Sequence, residues 1–130
     1  MEQDIQQVDF QGQLDLITQI LKSLTGVKFP LNNEKVLQAS IEKRLKSRFI
    51  GYQREYELDE KNIPDFLIAG CVAVEVKIKG NAQLIYRQCW RYCQFDQVKS
   101  LILITNRSMG FPKEINGKPC YLLNLGKAWL

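Results

Sequence analysis

Apolar positions along this chain recur with two periods, one near the helical repeat and one of two residues, and they divide it into helices and strands. Positions 10–24 set Phe10, Leu14, Ile17, Leu21 and Leu24 at helical spacing and end near Gly26. Pro30 interrupts the chain, and Asn32-Asn33 offers a cap for a second helix over 34–48 whose stripe is Leu37, Ile41, Leu45 and Phe49. Positions 52–58 read as a strand, followed by the turn-forming Asp59-Glu60-Lys61-Asn62. Two β-branched or aromatic runs, 63–68 and 72–78, then flank Gly70, which is a hairpin signal. Pro64 pushes Ile63 toward extended geometry and argues against a helix there. Gly80-Asn81 stops the strand and caps a helix over 82–95, with Ala82, Ile85, Tyr86, Cys89 and Cys93 expected to face inward. The unbroken apolar run 101–104 suits a strand covered on both faces. Asn116-Gly117 marks a turn before a last strand over 119–125.

The predicted order is α-α-β-β-β-α-β-β. A strand, a helix and a strand in succession form a crossover, so the strands at 72–78 and 100–105 should run parallel. The expected class is therefore α/β, a central mixed β-sheet flanked by helices. At 130 residues the chain reads as a single domain, with a helical extension over 1–30, a core over 33–105 and a C-terminal strand region over 106–130.

The hairpin places the most informative side chains. Pairing symmetric about Gly70 sets Asp65 directly across from Glu75, with Cβ atoms roughly 5 Å apart. Glu75 and Lys77 share a face because side chains alternate along a strand. Two carboxylates so close repel unless a proton or cation lies between them, and such an oxygen pair suits Mg²⁺ or Mn²⁺. A one-residue slip would turn Asp65 away. The competing interpretation is a set of solvated charges, with Lys77 pairing Glu75. Glu34 lies within roughly 20° of Ile41 and Leu45 on the helical wheel, so it points coreward and needs a partner. Glu42 sits nearer the edge of that stripe. Glu34 would otherwise serve only to complement the helix dipole. Gln88 and Tyr92 are one turn apart on the third helix, as are Arg87 and Arg91 on the adjacent face. Those groups would either hold phosphates or form the edge of the core.

Composition narrows the chemistry. The chain has no histidine, which removes Ser-His and Cys-His nucleophile schemes and His-ligated zinc or haem. Cys71, Cys89, Cys93 and Cys120 lack metal-ligand spacing and are expected to be reduced and mostly buried. The net charge of +4 is unevenly spread. Positions 35–54 hold Lys35, Lys43, Arg44, Lys46, Arg48 and Arg54 against Glu42, and positions 77–99 hold Lys77, Lys79, Arg87, Arg91 and Lys99 against Asp96. Basic segments beside a carboxylate cluster suit a polyanionic substrate, although solvated helix faces would show the same pattern. No apolar run approaches a membrane span and the acidic start is no signal peptide, so a cytoplasmic location without a membrane partner is expected.

Pro64-Asp65, then Glu75-Val76-Lys77, then Gln88-Cys89-Trp90-Arg91-Tyr92, in that order and on those elements, resemble the PD-(D/E)xK nuclease superfamily with its restriction-endonuclease-like fold. The last segment is similar to the Gln-x-x-x-Tyr motif of the RecB-like and Holliday-junction-resolvase-like branch. The resemblance covers 33–105. It implies an αβββαβ core, here with an extra N-terminal helix, and an Mg²⁺-dependent (or Mn²⁺-dependent) DNA nuclease of repair, recombination or restriction. On that resemblance Asp65, Glu75 and the Val76 carbonyl would hold the metal, with Glu34 completing the shell and Glu42 as its alternative. Lys77 would orient or deprotonate the attacking water, making Asp65, Glu75 and Lys77 the catalytic set. Gln88, Tyr92, Arg87, Arg91 and Lys79 would grip the DNA backbone. A homodimer would supply two sites for cutting two strands. The alternatives are a non-catalytic nucleic-acid-binding or protein-interaction module on the same fold, and a metal-dependent phosphoesterase acting on small molecules.

Overall fold

The computed structural model describes the backbone of residues 2–126 and the side chains of residues 11–126, so Phe10 of the first expected stripe lies outside the described side chains. Helices α1 (Glu2–Leu24) and α2 (Glu34–Ser47) precede strands β1 (Tyr52–Arg54), β2 (Phe66–Ile68) and β3 (Val72–Lys77). Helix α3 (Ala82–Tyr92) and strands β4 (Ser100–Thr105), β5 (Glu114–Ile115) and β6 (Lys118–Asn124) complete the order. The strands form one six-stranded sheet in the order β1-β2-β3-β4-β6-β5. β1, β2 and β3 pair antiparallel, β3, β4 and β6 parallel, and β5 antiparallel to β6. The molecule is α/β, a mixed sheet flanked by helices, and the β3–β4 pair is parallel as the crossover demands.

Alternation along the strands sorts the core into two halves. Phe66, Ile68, Val72, Val74, Val76, Ile102 and Ile104 pack with Ile17, Ile20, Leu24, Leu37, Ile41 and Leu45 of α1 and α2. Ala73, Leu101 and Leu103 point the other way and pack with Ile85, Cys89 and Tyr92 of α3. The continuous apolar run of β4 is thus read correctly as a strand buried on both faces. Asparagine caps start the helices: the Asn33 side chain accepts from the Val36 N–H, and Asn81 accepts from Gln83 and Leu84.

Four local expectations are corrected. Phe49 does not extend the α2 stripe: the helix ends at Ser47, Phe49 takes φ +57° and is 96% exposed, and Ile50 is buried instead. β1 stops at Arg54 because Glu55 turns at φ +48°, its N–H bonding the Asp65 carbonyl. Tyr86 is exposed on the flank of α3, edge-on to Phe111, while Tyr92 takes the interior position. The Asn116-Gly117 turn closes a short hairpin whose first strand, β5, the pattern did not reveal.

Candidate active site

Strand β3 outruns its neighbour, and the site is built on the overhang. The last β2–β3 pair is Phe66 with Val74, and the same register continued by one step sets Asp65 across from Glu75. Ala69 and Gly70 both take positive φ, which closes the hairpin symmetrically about Gly70 and fixes that register. Past the end of β2, the Val76 and Ile78 N–H groups lie on a strand edge without a strand partner. Carboxylates take its place. Asp65 Oδ2 accepts from the Val76 N–H at 2.7 Å, and Glu34 Oε1, from the start of α2, accepts from the Ile78 N–H at 3.0 Å. Two acidic residues separated by helix α2 and strand β1 are thereby drawn to one stretch of β3.

Glu75 projects beneath α3 and is only 2% exposed, so the solvated-face interpretation does not hold for it. Its Oε1 accepts from the Tyr92 hydroxyl at 3.1 Å, and that hydroxyl also lies 3.2 Å from the Ile63 carbonyl. Gln88 Nε2 donates to the Tyr92 oxygen at 2.8 Å, which fixes the phenol from behind. Lys77 Nζ stands 3.3 Å from Glu75 Oε2, on a side chain 26% exposed. Glu75 therefore has one buried and one solvent-facing partner, and Lys77 marks the mouth of the site.

The electrostatics follow from this burial. Desolvation pushes the Glu75 carboxyl up to about 7, the Asp65 charge adds to the push, and Lys77 and Tyr92 oppose it. Desolvation also raises Asp65, with the Val76 N–H and Lys77 pulling back and Glu34 pushing up. Burial works against the Lys77 ammonium, but the Glu75 carboxylate outweighs it and holds the amine above its usual range. Tyr92 is raised by burial and then by Glu75, so it stays a neutral donor. Three carboxyl groups thus bear on one ammonium, and the site is short of positive charge.

The remaining expected residues divide. Glu42 belongs elsewhere: it accepts from the Tyr52 hydroxyl at 2.6 Å and from Arg54 at 3.0 Å, and the Tyr52 bond first, then Arg54, lowers its pKa against desolvation. Glu34 is the upstream acid that reaches β3. Val76 contributes through its backbone only, since its side chain lies in the opposite half of the core. Arg87 and Lys79 are exposed. Arg91 is tethered through Nε to Asn62 Oδ1 at 3.0 Å. Tyr92 is fully buried, so it does not reach a DNA backbone; its place is behind Glu75, which corrects the expected contact. Gln88 is part-buried and spends its amide on Tyr92. The role of Asn62 in tying α3 to the segment before Asp65 left no mark in the sequence.

Among the described residues, no group of three or more His, Cys, Asp or Glu side chains is set to hold a metal ion. The Asp65–Glu75 pair nevertheless offers hard oxygen donors in a site with excess negative charge, and Mg²⁺ commonly uses one or two carboxylates with water and substrate phosphate. That donor set fits Mg²⁺ or Mn²⁺. None of the four cysteines is in a disulfide, and Cys89, Cys93 and Cys120 are buried, as expected. No helix among the described residues is long and apolar enough to cross a membrane. No family model, no curated protein and no solved structure matches this chain.

Proposed function

We propose that this protein is a metal-dependent deoxyribonuclease of the PD-(D/E)xK kind. The observation that supports it most is the pairing of a part-buried Asp65 with a buried Glu75 on the β3 overhang, both raised, with the Lys77 ammonium 3.3 Å from Glu75. A purely structural role leaves that arrangement unexplained, because burying opposed carboxylates costs stability that an apolar pair would not. The element order of α2, β1, β2, β3, α3 and β4 is the αβββαβ sequence that the resemblance implies.

In this reading Asp65, Glu75 and the Val76 carbonyl hold Mg²⁺ or Mn²⁺, with Glu34 adjacent. The bound ion supplies an acidified water and charge neutralisation at the scissile phosphate. Lys77 keeps its proton near neutral pH, so it would orient an attacking water and stabilise charge on the phosphate oxygens rather than abstract a proton. Tyr92 and Gln88 lock the Glu75 carboxylate in place. Arg87, Arg91 and Lys79 supply cations for phosphates. Cysteines held outside any disulfide suit a reducing, cytoplasmic setting.

A second reading, a non-catalytic DNA-binding module, draws on the lack of a three-ligand group among the described residues. One experiment separates them. Plasmid, single-stranded and branched DNA are incubated with the protein and Mg²⁺ or Mn²⁺, with a sizing column run alongside to register a homodimer. Cleavage that Asp65→Ala and Lys77→Ala abolish is expected. Intact DNA throughout, or cutting indifferent to both substitutions, removes the nuclease reading.

A further inference from the structure

Helix α3 has an outer face of which the nuclease reading uses only the two arginines, Arg87 and Arg91, and neither aromatic ring. Tyr86 and Trp90 lie one turn apart on it, 37% and 46% exposed. Arg87 and Arg91 are spaced alike beside them. These four residues line an open cleft of about 390 Å³, within the size range of small-ligand sites. Neither end of the cleft is loose. The Tyr86 ring is braced edge-on by Phe111, at 6.4 Å between centroids and an interplanar angle of 71°. Arg91 is held through Nε by Asn62, three residues ahead of Asp65, and that bond occupies one of its five N–H donors. The lining holds two guanidinium groups and no carboxylate.

Two aromatic rings, one of them braced, beside two guanidinium groups match a ligand that alternates flat rings with negative charge. Nucleic acid has that alternation. Intact duplex does not present it, because its bases are stacked on one another and leave no face for a side chain. An unpaired strand does, and base-on-aromatic stacking is sequence-tolerant. The placement matters as well. The same helix turn that exposes Trp90 and Arg91 directs Tyr92 onto Glu75, so the cleft and the carboxylate site are built on one element.

We propose that the cleft of Tyr86, Arg87, Trp90 and Arg91 binds an unpaired nucleotide, its base stacked on Trp90 and its phosphates on the two arginines. The substrate class is then DNA with a single-stranded segment, an end, flap or branch, rather than continuous duplex. This rests on the nuclease reading for the fate of the bound strand, not for the binding itself.

The test uses the full chain in EDTA, so that no hydrolysis intervenes. The sequence contains two tryptophans, and Trp129→Phe leaves Trp90 as the only indole to report. Its fluorescence is titrated with a thymidine oligonucleotide of about 12 residues and with a closed-end duplex dumbbell, since stacking sites span roughly 4–16 nucleotides. Saturable quenching by the single strand, at least tenfold tighter than by the dumbbell, is expected. Trp90→Ala should weaken single-strand binding roughly five- to 150-fold, and Trp90→Phe should recover most of that loss. Arg87→Ala and Arg91→Ala should each flatten the salt dependence. Absence of quenching, equal affinity for the dumbbell, or equal quenching by poly-glutamate overturns the proposal. So does a Trp90→Ala protein that binds DNA normally and changes only its elution volume, because a second copy of the chain then covers the cleft. Quenching by the single strand with no cleavage in the substrate panel leaves the cleft standing and removes the nuclease reading. Cleavage that ignores Trp90 does the reverse.

Discussion

Replacing Glu75 by glutamine should make the metal-free protein more stable at alkaline pH. Burial and the Asp65 charge raise the Glu75 carboxyl from 4.5 to about 7 in the folded chain. A carboxyl raised on folding contributes stability that is complete below its unfolded pKa and is lost as pH climbs through the folded one. The gap of about 2.5 units corresponds to about 3 kcal/mol, lost between pH 4.5 and pH 7 and constant above. The amide of the Glu75→Gln variant would keep its one oxygen for Tyr92 and would turn an NH₂ donor toward Lys77. Lys77 is part-exposed and turns to water, at a cost of about 1 kcal/mol. A net gain of about 2 kcal/mol at pH 8 remains, equivalent to a rise in Tm of roughly 5–10 °C for a domain of this size. Urea and thermal unfolding of wild type and Glu75→Gln in EDTA, from pH 4.5 to 8.5, read the difference with other titrations cancelled. The variant should start about 1 kcal/mol less stable than wild type at the acid end, from the lost Lys77 contact, and reach its full advantage near pH 7. A variant less stable than wild type at pH 8, by the same margin as at pH 4.5, refutes the reasoning, because the Glu75 ion would then be net favourable where it lies.

Three further outcomes follow from the same geometry. Glu34→Gln should reduce cleavage at least tenfold, whereas Glu42→Gln should leave cleavage intact and lower stability by about 1–3 kcal/mol, since it strips the charge from a part-buried partner of Tyr52 and Arg54. Tyr92→Phe removes the buried donor to Glu75 and should destabilise the protein by about 1–3 kcal/mol at pH 8 in urea, with a smaller loss at pH 4.5 where the carboxyl is neutral. Phe49→Asn should raise stability by about 1 kcal/mol in the same assay, because Phe49 is exposed at positive φ, a region that asparagine tolerates better.

The hairpin and crossover were legible in the sequence because each depends on local signals: Pro64, the Gly70 turn and the alternation of the β3 run fix a register that the strand pairing reproduces. The fate of each charge was less legible. Alternation placed Glu75 and Lys77 on one face, but whether α3 covers that face depends on a packing angle that no spacing encodes. The helix wheel separated Glu34 from Glu42 by direction alone. What decided between them was the length of β2, whose late start at Phe66 leaves Ile78 for Glu34 to bond. Gln88 and Tyr92 were recognised as sharing a face, yet the i, i+4 pattern could not tell whether that face meets solvent or Glu75. Phe49 misled because the helical period continued past the residue where the backbone turned. The β5 strand, two residues long, is too short to show any period.

A calorimetric titration of the metal-free protein with Mn²⁺ at pH 8 bears most directly on whether the Asp65–Glu75 pair exists to hold a cation. The account predicts a saturable site in wild type that Glu75→Gln and Asp65→Asn abolish and Glu42→Gln preserves. Heat of binding unchanged by Glu75→Gln, or no saturable heat in wild type with or without DNA, contradicts it.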